Sequence, residues 1–179
     1  TKACLLNPNR NPNLNQSQIE GYLERFYGAK EIWWLGDGIV GDDTDGHIDD
    51  MTRFVSPNII VSAIENNSKD ENYQALQENW ERLHGFYFAD GSKPELVALP
   101  MPSPVVYEGQ RLPASYANFY ISNDSVWVPI FDDPNDEQAI GVLQECFTNK
   151  VVRGINAREL VWGLGAFHCL SQQQPVSSF

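Results

Sequence analysis

The sequence predicts an α/β fold assembled from repeated strand–strand–helix–strand units. Three observations carry that prediction. Two stretches of the 179-residue chain place paired apolar runs about a turn, then a helix-periodic segment, then a further apolar run. A third stretch, at the start, shows the same order without its first strand. The segments that follow each unit are long and rich in Gly, Pro and polar residues, as loops sharing one face of a repeat are. The unit is about 55 to 65 residues long. Mixed units of this kind pack helices outside short sheets.

The first segment opens with KACLLN, expected as a strand. A helix should follow from Asn15, with Ile19, Tyr22, Leu23 and Phe26 on one face and Gly28 as its stop. EIWWLG is the expected closing strand. The chain thus begins halfway through a repeat and has no initiator Met, so a fragment or processed product is expected, read as a single domain over residues 1–179. A unit lacking its neighbour should expose an apolar edge or borrow a partner.

In the second segment, MTRFVSPNIIVSAIE reads as a hairpin around Ser-Pro-Asn. Leu76, Trp80 and Leu83 then recur at helical spacing, Ser68 and Glu71 have capping-box spacing, and Gly85 is a fitting stop. ELVALP closes the unit. In the third, YANFYISNDSVWVPIF reads as a hairpin about Asn123-Asp124. Asp133 is the expected cap of a helix with Pro134 in its first position and Ile140, Leu143 and Phe147 on one face. KVVRGI closes it.

The net charge is −12, which argues against nucleic-acid partners and favours small cations, with simple solubility as the plainer account. No apolar run approaches the roughly 20 residues of a membrane span, and nothing reads as a signal peptide. Cys4, Cys146 and Cys169 are odd in number and far apart, so neither a disulfide framework nor a zinc site is expected, and the cytoplasm is the expected location.

One short stretch breaks the ordinary pattern. GDDTDGHIDD, residues 41–50, carries five aspartates and one of three histidines. His47 and Asp49 are two apart, so an extended segment would turn both toward one ligand, with Asp45 and Asp43 in the same row. An EF-hand is excluded because Gly46 falls fourth from Asp43 rather than sixth. A mixed His/carboxylate metal site and a solvated acidic turn both stay open.

The tail adds a thiol. GLGAFHCLSQQQP puts Cys169 after a Gly-rich turn, at the start of an expected strand and in one of the loops expected to share a face with His47. Strand alternation would point His168 away from Cys169. His84 ends a helix, where an imidazolium suits the dipole, and reads as structural. A thiol, an imidazole and carboxylates together suit attack on a guanidinium carbon, whose charge the carboxylates would hold.

WWLGDGIVGDDTDGHIDDMTRFV, LPASYANFYI and ARELVWGLGAFHCLSQQQP resemble the agmatine deiminases, within the bacterial-type peptidylarginine deiminase group. ACLLNPNRNPNLNQSQIE resembles their middle region. The resemblance implies the pentein fold, a propeller of ββαβ units, with this chain as its C-terminal half. The family's upstream Trp-Arg-Asp and Glu-Gly-Gly segments are absent here. Carried over by position, Cys169 matches the nucleophile, His47 the general acid/base, and Asp49 the carboxylate that pairs with guanidinium nitrogens. Asp43 matches an acidic position near the substrate's distal amine, often Glu, so its reach is one methylene shorter. Gly163 and Gly165 match glycines ahead of the nucleophile, with Leu164 interrupting the run. Asp45 extends the acidic row, and Trp34 or Trp33 is an expected cover for the distal ammonium.

The implied reaction converts agmatine and water to N-carbamoylputrescine and ammonia through a thiouronium on Cys169, in polyamine biosynthesis, with no metal and no cofactor. The implied partners are the small guanidine substrate and either the missing N-terminal half or a second copy. Two other readings remain: a catalytically incomplete half-propeller that binds cations or assembles with a complementary chain, and a metal-dependent hydrolase using the acidic loop.

Overall fold

Residues 1–174 are described by a computed structural model. Pro175, which ends the tail motif, lies outside the described residues. In chain order the elements are α1 (Lys2–Leu5), α2 (Gln16–Tyr27), β1 (Thr52–Phe54), β2 (Ile59–Ile64), α3 (Tyr73–His84) and β3 (Glu95–Pro100). Then follow β4 (Val106–Tyr107), β5 (Gln110–Arg111), β6 (Tyr120–Ile121), β7 (Ser125–Ile130), α4 (Asp136–Cys146) and β8 (Val151–Asn156).

The second and third segments are two copies of one ββαβ unit. β1 runs antiparallel to β2, and β2 runs parallel to β3, in the order β1-β2-β3. β6, β7 and β8 repeat that pairing. Parallel neighbours need a crossover, and α3 and α4 supply it. β2 is buried from Ile60 through Ala63, so its sequence is a continuous apolar run broken only by Ser62. Leu76 and Leu83 of α3, and Ala139 and Leu143 of α4, face inward. One cluster joins both units through Val61, Leu99, Phe119, Val128 and Leu143. Val128 of β7 and Leu99 of β3 are both fully enclosed in that shared cluster, while Ile39, Met51, Ala63, Leu76 and Met101 form a second, smaller one.

The first segment departs from the repeat. KACLLN is not a strand: Lys2–Leu5 is one helical turn, capped by Thr1 Oγ1, which accepts the Cys4 N–H at 3.1 Å. EIWWLG pairs in no sheet. Its carbonyls at Leu35 and Gly36 accept the N–H groups of Lys2 and Ala3, and the Gly36 N–H goes to Asn79 Oδ1 at 2.7 Å. The free N–H groups at the start of α1 and one buried amide thus satisfy the groups that a ladder would have used. α2 is as expected, with a reciprocal capping box between Asn15 and Gln18 and Gly28 in the left-handed region. Of its expected apolar face only Ile19 is buried; Tyr22 and Phe26 are exposed.

Both expected N-caps shift. The Ser68–Glu71 box does not form; Asn72 precedes α3, and its Oδ1 accepts the Val40 N–H instead. α4 starts after Asn135, with Pro134 outside the helix. Asp133 accepts N–H groups from Asn135 and Ser103, which ties the preceding loop rather than the helix. Among the described residues no helix is long and apolar enough to cross a membrane.

Candidate active site

Glycine geometry sets the course of the acidic loop. Gly46 has φ of +91°, and its Cα lies where a Cβ on Gly38 would come within 2.1 Å. The two backbones touch because neither has a side chain. Asp42 then closes the loop, accepting the His47 N–H at 2.7 Å and the Thr44 N–H at 2.9 Å. Residues Ile48–Asp50 wind into a 3-10 turn. His47 and Asp49 are therefore not consecutive members of an extended row. The turn sends Asp49 and Asp50 inward, at 8% and 1% exposure, and leaves His47 half-buried at the rim.

The tail meets them from the other unit. Residues 167–170 form a turn, not a strand, so His168 and Cys169 do not point to opposite sides. His168 Nδ1 donates to Asp49 Oδ2 at 2.6 Å, and the Cys169 thiol donates to the same oxygen at 3.3 Å. Asn118 sits beneath both. Its Nδ2 donates to Asp50 Oδ1 at 2.7 Å and to Cys169 Sγ at 2.9 Å.

A cavity of about 860 Å³ opens over this cluster, lined by His47, Asp49, Cys169 and Asp43 among others. Gly163 and Gly165 line it as well. A Cβ on Gly165 would stand 2.8 Å from Cys169 Sγ, which accounts for glycine there. Two expected residues lie elsewhere. Trp34 is buried, and its indole N–H donates to Glu20 of α2 at 2.7 Å, so it fastens a helix and does not line the cavity. Asp45 is exposed at φ of +68°, which turns it out of the row and away from the lining. Trp33 packs against Phe86 and Phe88 and is absent from the lining of this cavity, but it lines an adjoining cleft that also reaches Asp49 and His168.

The electrostatics follow from burial and crowding. Burial opposes Asp49's charge, yet the hydrogen bonds from His168 and Cys169 outweigh it and hold the carboxyl below its ordinary range. For Asp50 the balance falls the other way: burial, then the neighbouring Asp49, push it up to about 8, against the hydrogen bond from Asn118 and the charge of Arg53. Burial also raises the Cys169 thiol to about 11; Asn118 works against that rise, while Asp50 and Asp49 add to it. At about 11, the sulfur keeps its proton at neutral pH.

Asp49, Asp50 and Cys169 place ligand atoms within 4.8 Å of one another, the spacing a metal would need. The donor set does not fit one. The Asn118 amide protons already point at Asp50 and Sγ, and an N–H donor aimed into a cation site repels the cation.

His168, Asn118, Asp50 and Arg53 received no role in the sequence reading. Asn118 carried a usable signal: it is a lone amide within LPASYANF, every residue of which is buried. His168 carried none, because its direction depends on a turn that the local sequence reads as a strand.

The chain belongs to the Porphyromonas-type peptidyl-arginine deiminase family, whose model matches residues 1–175. It is 39% identical over 178 residues to a Legionella pneumophila protein named "Putative agmatine deiminase", covering 99% of this chain and 51% of that one. Among solved structures, an agmatine deiminase of Enterococcus faecalis superposes with a TM-score of 0.92 at 32% identity, over 97% of this chain and 52% of that one. A Porphyromonas gingivalis protein described as a putative arginine deiminase gives 0.94 at 39%, over 98% and 52%. The two ββαβ units are thus of pentein type, and the chain spans about half the length of the relatives it matches.

Proposed function

We propose that this chain carries the nucleophile, the acid/base and the guanidinium-orienting carboxylate of an agmatine deiminase. The observation that carries the reading is the shared oxygen: Asp49 Oδ2 receives both the Cys169 thiol and His168, at the floor of a cavity whose rim holds His47. An ionised carboxylate beside a sulfur suits a planar cation, which would bond to Asp49 through two nitrogens and face its carbon to Sγ.

The cation also supplies what the thiol lacks. Two carboxyl groups hold the Cys169 proton on; a guanidinium between them and the sulfur reverses that field. The thiol proton passes to His47, and Sγ bonds to the guanidinium carbon. His47 returns the proton to one NH₂ group, whose C–N bond breaks to release ammonia. An S-linked thiouronium remains. Water adds to its carbon as His47 takes one proton; the C–S bond breaks as the new hydroxyl becomes the carbonyl and gives up its proton, so that one proton returns to the thiolate and the other leaves with ammonia as ammonium. The sum is agmatine plus water giving N-carbamoylputrescine plus ammonia, a step of polyamine biosynthesis. Asp43 at the cavity wall is the group we assign to the far ammonium. Three free cysteines suit the reducing cytoplasm.

The test supplies agmatine, arginine or an arginyl peptide to the chain, together with a polypeptide equivalent to the other half of its relatives, and measures ureido product. Agmatine should give product, and Cys169→Ser should give none. Absence of product from agmatine with Cys169 reduced overturns the reading.

A second reading is favoured by one observation. Trp33, Phe54 and Phe88 line an open apolar cleft of about 580 Å³, and the chain covers only half of its relatives. The chain alone would then be an incomplete half-propeller that self-associates or takes a complementary polypeptide on that cleft. Gel filtration separates the two: an inactive oligomer supports the second, and an active monomer removes it.

A further inference from the structure

Asn118 takes no part in the reaction outlined above, yet its side chain is bonded on every side. It is 1% exposed, so each polar atom must find a partner inside the protein. Its Oδ1 accepts the N–H groups of Ala166, His168 and Cys169 at 3.2, 3.0 and 3.2 Å. Its Nδ2 donates to Asp50 and to Cys169 Sγ, and lies 3.4 Å from Asp49 Oδ2. The chain from Gly165 to Leu170 is neither helix nor strand, so no ladder shapes it. What converges its amides is this one oxygen.

The platform beneath Asn118 is itself clamped. Arg53 Nη1 donates to the carbonyls of Ala117 and Phe119, on either side, at 3.2 and 2.9 Å. Its guanidinium carbon lies 4.6 Å over the Phe119 ring. The Asn118 carbonyl accepts the His168 N–H at 3.1 Å, so backbone and side chain hold the same turn.

We propose that Asn118 is the positioning residue of the nucleophile: its oxygen shapes the turn that carries Cys169, and its NH₂ group holds the sulfur against the carboxylates. The proposal rests on the deiminase reading only in naming Cys169 as the reacting atom. The charged and titratable groups around the sulfur are Asp49, Asp50, His168 and Arg53, with His47 in the same cavity lining. Both carboxyl groups disfavour a thiolate. The Asn118 N–H is the donor that favours it. Aspartate in its place would keep the acceptor for three amides, lose the donor and add a third carboxyl group.

The test reads the sulfur rather than turnover. The wild-type chain and Asn118→Asp are alkylated with iodoacetamide at pH 9, and peptide mass spectrometry follows Cys169, with Cys4 and Cys146 as internal references. The expected result is at least about tenfold slower alkylation at Cys169, one unit of acidity, with both reference rates unchanged. An unchanged Cys169 rate overturns the proposal, as does a drop in the melting midpoint without a change at sulfur. Should the variant not fold, amide hydrogen exchange in the wild-type chain decides. The amides of Ala166, His168 and Cys169 should exchange at least about a hundredfold slower than in an unstructured peptide, as held amides do, and unprotected amides overturn the proposal. Slowed alkylation in a protein that does not deiminate agmatine removes the deiminase reading and leaves Asn118 its role.

Discussion

His168 and Asp49, 119 positions apart, share a hydrogen bond of 2.6 Å, Nδ1 to Oδ2. The bond ties the acidic loop of one ββαβ unit to the tail that follows the other. It also decides the ionisation of Asp49, whose burial alone would push its carboxyl upward.

Removing the imidazole should therefore move an acid transition. A carboxyl with a folded-state pKa below its unfolded value contributes stability above about 3.9 and loses it as pH falls through the folded value. His168→Ala lifts the folded value, so acid unfolding of the variant should begin at higher pH. Circular dichroism between pH 5 and 2 checks this; coincident transitions would refute it.

Asp50 has the opposite sign. Its folded value of about 8 exceeds the unfolded one, so the folded state holds a proton that the unfolded chain releases. Stability falls as pH rises from about 4 toward that folded value. Asp50→Asn keeps an oxygen for Asn118 and cannot ionise. It should match wild type near pH 4 and be more stable at pH 9 by roughly 1 to 3 kcal/mol, well under the full linkage figure because the site relaxes. Urea unfolding at the two pH values makes the comparison.

Gly165 touches the sulfur. A methyl there would overlap Cys169 Cβ at 2.7 Å, and something must shift. Gly165→Ala should lower the proposed deiminase activity by about a hundredfold through displacement of the thiol, while costing about 1 to 3 kcal/mol in stability. Activity within threefold of wild type would show that the turn absorbs the methyl elsewhere.

Gly38 is the strictest position of the acidic loop, since the clash at 2.1 Å is with the Gly46 backbone and no side chain can yield. Gly38→Ala should cost at least about 3 kcal/mol, in the range reserved for severe core defects. A thermal midpoint within a few degrees of wild type would contradict the close approach.

Much of the fold was legible because it is local. The hairpins at MTRFVSPNIIVSAIE and YANFYISNDSVWVPIF, the helices after them and their parallel partner strands each follow from periodicity and turn residues in adjacent sequence. KACLLN and EIWWLG misled because an apolar run signals burial, and burial in this case comes without a ladder partner. Asp133 misled for a related reason: a residue suited to cap a helix was claimed by a loop instead.

The sequence by itself determined the repeat, the Cys169 tail and the acidic loop, since each is written in neighbouring residues. Only the tertiary structure decided which groups meet. It set Asp49 between His168 and Cys169, turned Asp45 outward, gave Trp34 to Glu20 and placed Asn118 under the sulfur. The reason is geometric. A 3-10 turn at Ile48–Asp50 and a tight turn at residues 167–170 override strand alternation, and their side-chain directions depend on partners more than fifty positions away.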